Sequence, residues 1–510
     1  MTSLWAMWIG GALAGAAEEV AACLDVYDLQ CAQRAAKGLG KTGADQVARA
    51  ELEFTLGNFV EARDALKLAG ATEGATEGYA ERMLLFEKSV GATEDFVTDT
   101  LGDVTLRYRP GMDEVLRDEA FETLQAAHDR IGPVLGGAPP GGVRMELYPT
   151  AQRFIDASSL PGSAVRTTGV IALSKWTRLL VSSPRALGRG YEWKDTTAHE
   201  YIHYVVAWRT LDKAPVWLQE GIARSHESLW RQDEPAGLTP AQGALLADAL
   251  VNDTLVPLQK MHPSMAFLSS ADEAALAFAQ VSTMVVYLRE SKGPGAVSKV
   301  LDLVREGRDA LQAVADVGAA GDSAAFMKGW KDYLGTLKLV SKKLATSKVI
   351  LDGGGDEFET DPLLGERADL ARYARLGDLL LDAKRADAAL VEYQKASPHD
   401  EAPSPLLASR TATALLALSR RNEARGVLQA SIEDYPEFAS TRAALGALLL
   451  ADGDRDGAWT QYRAGVDIDP FDAASQATLA DLYAARGDAE RAERHRHYAR
   501  LLQSAEPATR

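Results

Sequence analysis

The middle of the chain changes from an alternating pattern of apolar and polar residues to a helical pattern. An apolar-periodic helix is expected over about 112–135, where the turn-forming run GGAPPGG ends it. After Pro184 the apolar spacing stays helical. A few strands followed by helices indicate an α+β domain, predicted to hold a small sheet. Four segments predict strands: 103–109 and 143–149, which alternate apolar and polar residues as half-buried strands do, and also 170–173 and 178–184.

The carboxyl-terminal part repeats itself every 34–35 residues. The unit resembles the tetratricopeptide (TPR) pattern, most clearly in LGALLLADGDRDGAWTQYRAGVDIDP. In such a unit small residues let two antiparallel helices approach, and large residues fill the space between them. We therefore predict four helical hairpins over 365–505. The small residues recur in three registers: Gly377, Ala412, Gly446 and Ala480; Ala389, Ala424, Ala458 and Ala492; Ala396, Ser431, Gly465 and Ala499. The large positions are Tyr393, Leu428 and Tyr462, and the fourth is Arg496, which suits a terminal repeat with a polar outer face.

The amino-terminal part contains a weaker unit of the same kind. Gly57, Ala62 and Leu66 are placed like the second half of a TPR, so 18–90 is predicted to be a TPR-like helical-hairpin segment. Residues 4–17 carry no charge, and AGA at 14–16 suits signal peptidase, although no basic residue precedes them. We interpret 1–17 as a candidate signal peptide; the alternative is the first turns of a buried helix. Export to the periplasm, the cell envelope or the medium is therefore expected.

The two cysteines bear on the same question. Cys23 and Cys31 flank a predicted tight turn between two helices, so they can pair, and export would preserve the bond. The alternative is two buried thiols. Their spacing excludes a CxxC redox or zinc motif.

Composition and charge argue against some classes of binding partner. The chain has 510 residues, 46% of them hydrophobic, and a net charge of −17. This acidity argues against nucleic acid or anionic lipid as the main partner, because both require a basic surface. After the first 20 residues no apolar run reaches the ~18 residues of a transmembrane helix, so none is predicted.

Residues 195–208, DTTAHEYIHYVVAW, carry the candidate chemistry. His199, Glu200 and His203 form H-E-x-x-H, which places two imidazoles on one helix face, where they can bind one tetrahedral ion. Glu200 lies beside that face and can accept a proton from a water. The alternative is a helix whose histidines pair with carboxylates.

The residues that follow decide which third ligand is available. A third histidine would need glycine at Val206 and histidine at Arg209, so that class is excluded. Glu220 falls 17 residues after His203 on the next predicted helix, where Gly221 would let the two helices approach. Two histidines and a glutamate leave an open water position, which is the catalytic pattern for zinc. Two other residues are alternatives for the third ligand: His226 and Glu227.

The sequence PVWLQEGIA after HEYIHYVV is similar to the gluzincin metallopeptidases, specifically the peptidase MA-like domains of exported bacterial proteins with TPRs. The resemblance covers about 96–334. It implies a zincin-like fold, zinc as cofactor and hydrolysis of peptide bonds. Carried over to this chain, it makes His199, His203 and Glu220 the zinc ligands and Glu200 the catalytic base.

One position departs from that family. Many relatives have a tyrosine at the position of Phe278, where a hydroxyl can stabilise the oxyanion, and phenylalanine has no donor. Tyr191, Tyr204 and His226 are candidate substitutes, and each is also explained by a structural role.

Two functions compete. The first is a zinc metalloendopeptidase or aminopeptidase of the HExxH…E type, with TPRs that bind peptide or protein substrates or protein partners. The second is a non-catalytic TPR scaffold with a degenerate metalloprotease-like domain. The predicted organisation has five parts: a candidate signal peptide (1–17), a TPR-like segment (18–90), the zinc domain (96–345), a linker (346–364) and four TPRs (365–505).

Overall fold

The computed structural model describes residues 15–73, 78–262, 265, 268–344, 351, 357–365, 367–397 and 403–504. Much of the expected signal peptide and of the expected linker lies outside these residues. The described part consists mainly of helices with one small mixed sheet, which confirms the predicted fold class. No helix in these described ranges is long and apolar enough to cross a membrane.

The amino-terminal region is helical. A disulfide between Cys23 and Cys31 joins its first two helices. The third and fourth pack against each other as a hairpin, with Phe54 and Phe59 buried between them. The helices are α1 (Ala16–Asp25), α2 (Leu29–Ala35), α3 (Gly43–Thr55), α4 (Phe59–Glu73) and α5 (Tyr79–Ala92).

The sheet follows in the order β1-β2-β3-β5-β4. Its strands are β1 (Val97–Leu101), β2 (Val104–Tyr108), β3 (Val143–Tyr148), β4 (Ala172–Lys175) and β5 (Arg178–Ser182). The three inner strands are parallel, and the outer strands β1 and β4 are antiparallel to their neighbours. Four strands were predicted from the sequence. β1 was not, because most of its residues are exposed and no alternation marks a buried face.

The amino-terminal hairpin covers one face of this sheet. Arg178 on β5 is buried and pairs with Glu146 on β3 at 3.0 Å. Its guanidinium lies 5.0 Å from the ring of Phe54 and 4.7 Å from that of Phe59. A buried cation is tolerated here because it has both a carboxylate and aromatic faces as partners.

Several helices of the central region pack against α9, which is the H-E-x-x-H helix. They are α6, α10 and α13, and α9 also contacts β4 and β5. Ile202, Val205 and Val206 of α9 are fully buried in this core. The helices are α6 (Arg117–Val134), α7 (Ala151–Ala157), α8 (Gly162–Thr168), α9 (Trp193–Thr210), α10 (Val216–His226), α11 (Pro240–Asn252), α12 (Ala271–Lys292), α13 (Ala296–Arg305), α14 (Ala310–Gly318) and α15 (Ser323–Leu334).

The carboxyl-terminal region forms helical hairpins with the predicted spacing. Gly377 lies against Tyr393 so closely that a Cβ there would be 2.3 Å from the ring, and Gly446 lies against Tyr462 in the same way. These two positions are therefore glycine because an aromatic ring of the partner helix occupies the space that a side chain would need. After α16 (Glu357–Thr360), the hairpins are α17 (Ala368–Asp382) with α18 (Ala386–Lys395), α19 (Pro405–Ala417) with α20 (Arg421–Asp434), α21 (Ala439–Ala451) with α22 (Arg455–Ile468), and α23 (Ala473–Ala485) with α24 (Ala489–Ser504).

The last two hairpins dock on the central region. Lys194, in the first turn of α9, contacts Glu119 at 2.8 Å and Asp467 of α22 at 2.5 Å. Tyr498 of α24 belongs to the main core and donates a hydrogen bond to Asp118. Arg496 is exposed, as expected for a terminal repeat. The helix that carries the candidate chemistry is thus in direct contact with the repeats.

Candidate metal centre

The site is built on two consecutive helices. α9 presents His199 and His203 one turn apart, with their Nε2 atoms 3.0 Å from each other. α9 ends at Thr210, the chain turns, and α10 begins at Val216 with Pro215 as its N-cap. This turn brings Glu220 back to the histidines, as the sequence analysis expected.

The three expected ligands meet at one point. Oε2 of Glu220 lies 3.4 Å from Nε2 of His199, and its Oε1 lies 3.5 Å from Nε2 of His203. One ligand atom from each of the three residues lies within 4.8 Å of the others.

Gly221 allows a close approach of helices, but not between α9 and α10 as expected. A Cβ at Gly221 would lie 2.7 Å from the carbonyl oxygen of Val281 on α12. The glycine therefore lets α10 pack directly against the backbone of α12. This contact fixes the position of α10 and, with it, the position of Glu220.

The two alternative ligands have different positions. Oε2 of Glu227 accepts a hydrogen bond from Nδ1 of His199 at 2.7 Å, so it orients this imidazole from its far side. His226 is fully buried, and its Nδ1 contacts the carbonyl oxygen of Ile222 and Oγ of Ser225. Burial lowers the pKa of His226 to about 4, so this residue is neutral at pH 7. Neither residue replaces Glu220 in the cluster.

The donor atoms fit a cation between them. Because Nδ1 of His199 donates to Glu227, Nε2 of the neutral ring carries a lone pair directed at the carboxylate of Glu220. Two acceptors at this distance repel each other unless a proton or a metal ion lies between them. Without a metal, although burial opposes it, Glu220 and Glu227 raise the pKa of His199 to about 9. Two imidazole nitrogens and one carboxylate are the donor set of a catalytic zinc site, so these residues fit zinc.

Glu200 faces the same cluster. Burial raises the pKa of its carboxyl group, and the neighbouring His203 and His199 oppose that rise. A carboxylate whose pKa is raised is a better proton acceptor for water than an exposed one.

The candidate oxyanion donors named from the sequence have other partners. The hydroxyl of Tyr191 donates to the carbonyl oxygen of Ser182 at 2.5 Å, and that of Tyr204 donates to the carbonyl oxygen of Gly142 at 3.3 Å. Phe278 carries no hydroxyl, but its ring lies 5.8 Å from the guanidinium carbon of Arg224.

Sequence reasoning missed Arg224. It lies four residues after Glu220, on the same face of α10, and its Nη1 is 3.6 Å from Oε2 of Glu227. Glu227 lies seven residues after Glu220, two helical turns on, so both residues carried a positional signal. Arg224 and Glu227 line a cavity of about 1020 Å³ together with residues of α11 and α12 and with Asp434 of the repeats, whereas His199, Glu200, His203 and Glu220 are not among its lining residues.

Comparison with known proteins identifies the region that carries this site. Residues 126–336 match the family model of the Peptidase MA superfamily. This segment is a peptidase MA domain. It includes all four of the residues expected to act, His199, Glu200, His203 and Glu220. Among curated proteins, none matches this chain.

Solved structures with some similarity include TPR proteins. MamA 41-end from Desulfovibrio magneticus RS-1 is 15% identical, with 44% of this chain and 98% of that chain covered and a TM-score of 0.24. YrrB, described as a TPR protein with an unusual peptide-binding site, is 17% identical, with 41% and 95% covered and a TM-score of 0.23. The APC/C hetero-tetramer Cut9–Hcn1 is 12% identical, with 96% and 82% covered and a TM-score of 0.24. The 34-residue spacing and the stacked hairpins identify the repeats that follow the peptidase MA domain as TPRs.

Proposed function

We propose that this protein is a zinc-dependent peptidase whose TPRs bind substrate or partner proteins. One observation carries the proposal: two imidazole nitrogens and a carboxylate meet at 3.0–3.5 Å beside the buried Glu200. A degenerate domain has no reason to keep the base together with the ligands, which favours an enzyme over a scaffold.

The chain's own residues support the chemistry as follows. His199, His203 and Glu220 would hold the metal, and Glu227 fixes the ring of His199. A bound zinc ion supplies Lewis acidity, which polarises a carbonyl and lowers the pKa of a water toward ~7. Glu200 accepts the proton of the attacking water and delivers it to the leaving amine.

The sheet edge offers a place for the substrate. β4 is the outer strand of the sheet and packs beside α9. A peptide could pair with this edge in an extended conformation, because main-chain hydrogen bonds would fix its direction. The residues that line the cleft would then determine which substrate side chains are accepted.

The test combines metal analysis with cleavage. Wild-type protein should contain one zinc ion per chain and cleave members of a diverse peptide library. Glu200→Gln should keep the zinc and the far-UV circular dichroism spectrum but lose cleavage, because an amide cannot accept the proton. A wild-type protein that binds zinc and cleaves nothing would favour the scaffold function, and equal cleavage by the variant would refute the role of Glu200.

The binding role of the TPRs has a separate test. Leu379 on α17 is 67% exposed, and Leu376 on the same helix and Val391 on α18 are exposed as well, so this hairpin offers several apolar side chains to another protein. Leu379→Asp should weaken cleavage of an unfolded protein but leave cleavage of a decapeptide unchanged. Val251→Asp, at an exposed site on α11, is the matched control. Equal cleavage of the protein by both variants would argue against a substrate-binding role of this surface.

We also propose that the protein is exported. The disulfide between Cys23 and Cys31 supports this, because such bonds persist in oxidising compartments. Cell fractionation followed by thiol alkylation without reductant tests it: recovery in the cytoplasm with both thiols alkylated would contradict export.

A further inference from the structure

Arg224 differs from its neighbours on α10 in its exposure. Ala223, Ser225 and His226 are buried, whereas the side chain of Arg224 is 44% exposed. It lines the cavity of about 1020 Å³ together with Glu227. The side chain of Arg224 is therefore accessible from this cavity, and its charge is close enough to Glu220 and Glu200 for these carboxylates to influence it.

The surroundings of Arg224 keep it charged and in place. Glu227, Glu220 and Glu200 all raise the pKa of its guanidinium, with Glu227 as the largest influence. Its contact with Glu227 is 3.6 Å, which is longer than an ordinary hydrogen bond. Arginine has five N–H donors, so this pair leaves most of them for a ligand. The ring of Phe278 packs near the guanidinium and limits where it can move.

The other candidate donors are less available to a substrate. Nδ1 of His226 is bonded to α10 itself, and its Nε2 has no partner but belongs to a fully buried ring. The hydroxyls of Tyr191 and Tyr204 donate to backbone carbonyl oxygens, and either would have to break a buried hydrogen bond to reach a substrate. Arg224 would not.

We propose that Arg224 is a catalytic residue of the peptidase reaction and that its guanidinium binds the carbonyl oxygen of the scissile peptide bond, where negative charge develops. The inference rests on the proposed function. It also explains how the site can act with phenylalanine at position 278.

The step balances as follows. The water oxygen forms a bond to the carbonyl carbon, the π pair moves to the carbonyl oxygen, and Glu200 accepts the proton. The pair then returns, the C–N bond breaks, and the amine takes the proton from Glu200. Arg224 donates hydrogen bonds throughout and gives up no proton, since the pKa of arginine is far above 7.

The experiment uses the full-length, zinc-loaded protein and two readouts. The first is kcat and KM for a peptide that the wild type cleaves. The second is calorimetric binding of a phosphonate peptide, a tetrahedral anion that mimics the charged intermediate, compared with the matched uncleaved amide bound to Glu200→Gln. Arg224→Gln should lower kcat by about 100- to 1,000-fold, the usual effect of losing one oxyanion donor, with little change in KM. It should weaken phosphonate binding by a similar factor.

Control variants separate this role from others. Lys338→Gln removes one positive charge from an exposed side chain on the same cavity and should leave kcat unchanged. Arg224→Lys keeps the charge without the planar donor geometry and should be intermediate. Adding Phe278→Tyr to Arg224→Gln should restore part of kcat, because it supplies a hydroxyl donor next to the vacated position.

Each contrary result has a distinct meaning. A wild-type protein that neither cleaves peptides nor prefers the phosphonate refutes the proposed function itself. An active wild type with unchanged kcat in Arg224→Gln overturns the inference alone. Loss of zinc in both Arg224 variants, or a rise in KM limited to peptides with a free carboxylate near the scissile bond, also overturns it.

Discussion

Replacing Gly221 with alanine tests whether the contact between α10 and α12 sets the position of Glu220. The new Cβ would lie 2.7 Å from the carbonyl oxygen of Val281, 3.1 Å from its carbonyl carbon and 3.1 Å from Cγ2 of Val285. The closest of these contacts is roughly 0.7 Å shorter than ordinary van der Waals contact. Two of the three atoms are backbone, so α10 itself has to move.

The free-energy change has two parts of opposite sign. Alanine is favoured over glycine inside a helix by about 0.5–1 kcal/mol. Overpacking a close contact costs about 1–3 kcal/mol. The net expectation for Gly221→Ala is a loss of about 1–2 kcal/mol in the free energy of unfolding, whereas the same change at an open helical site should be stabilising.

Zinc affinity should fall with stability. Metal–ligand distances are tolerated within about 0.2 Å, so a displaced Glu220 no longer completes the site without strain. We expect the zinc dissociation constant to rise about tenfold, which corresponds to about 1.4 kcal/mol.

The assay measures urea unfolding by circular dichroism and zinc affinity by chelator competition. Gly426→Ala, at an exposed position of α20 with no atom near the new Cβ, is the matched control and should gain about 0.5–1 kcal/mol without affecting zinc. A Gly221→Ala protein that is as stable as the wild type and binds zinc equally well would refute this reasoning.

Three further outcomes are expected. His203→Ala should abolish stoichiometric zinc binding, because two ligands are too few for a tight site, and full occupancy measured by mass spectrometry would place the metal elsewhere. Glu227→Gln should weaken zinc binding by about 10- to 100-fold, because the ring of His199 loses its carboxylate partner, and an unchanged dissociation constant would contradict that role. Lys194→Met should speed limited proteolysis between the peptidase MA domain and the repeats, because Asp467 loses its partner across that contact; equal cleavage rates would show that apolar packing alone holds the docking.

The pattern of residues along the chain determined features that depend on neighbours in sequence. The strands β2 and β3 follow from alternation of apolar and polar residues, and β4 and β5 follow from short apolar runs. The TPR hairpins follow from small and large residues at fixed spacing. Placing His199 and His203 on one face needs only the pitch of a helix. A short turn after α9 makes Glu220 the nearest carboxylate of the next helix, so this part of the cluster was also accessible from sequence.

Tertiary structure alone decided which surfaces meet. β1 carries no buried face of its own and exists because β2 pairs with it. Gly221 was interpreted correctly as a close-approach residue but assigned to the wrong helix, since spacing within α10 cannot say which backbone lies behind it. Lys194 and Asp467 are 273 residues apart, and nothing local in the sequence marks them as partners. The spacing of apolar and polar residues reflects the hydrogen bonding and the buried face of a single helix or strand. Contacts between distant elements depend on complementary shape and charge, which arises only when the whole chain has folded.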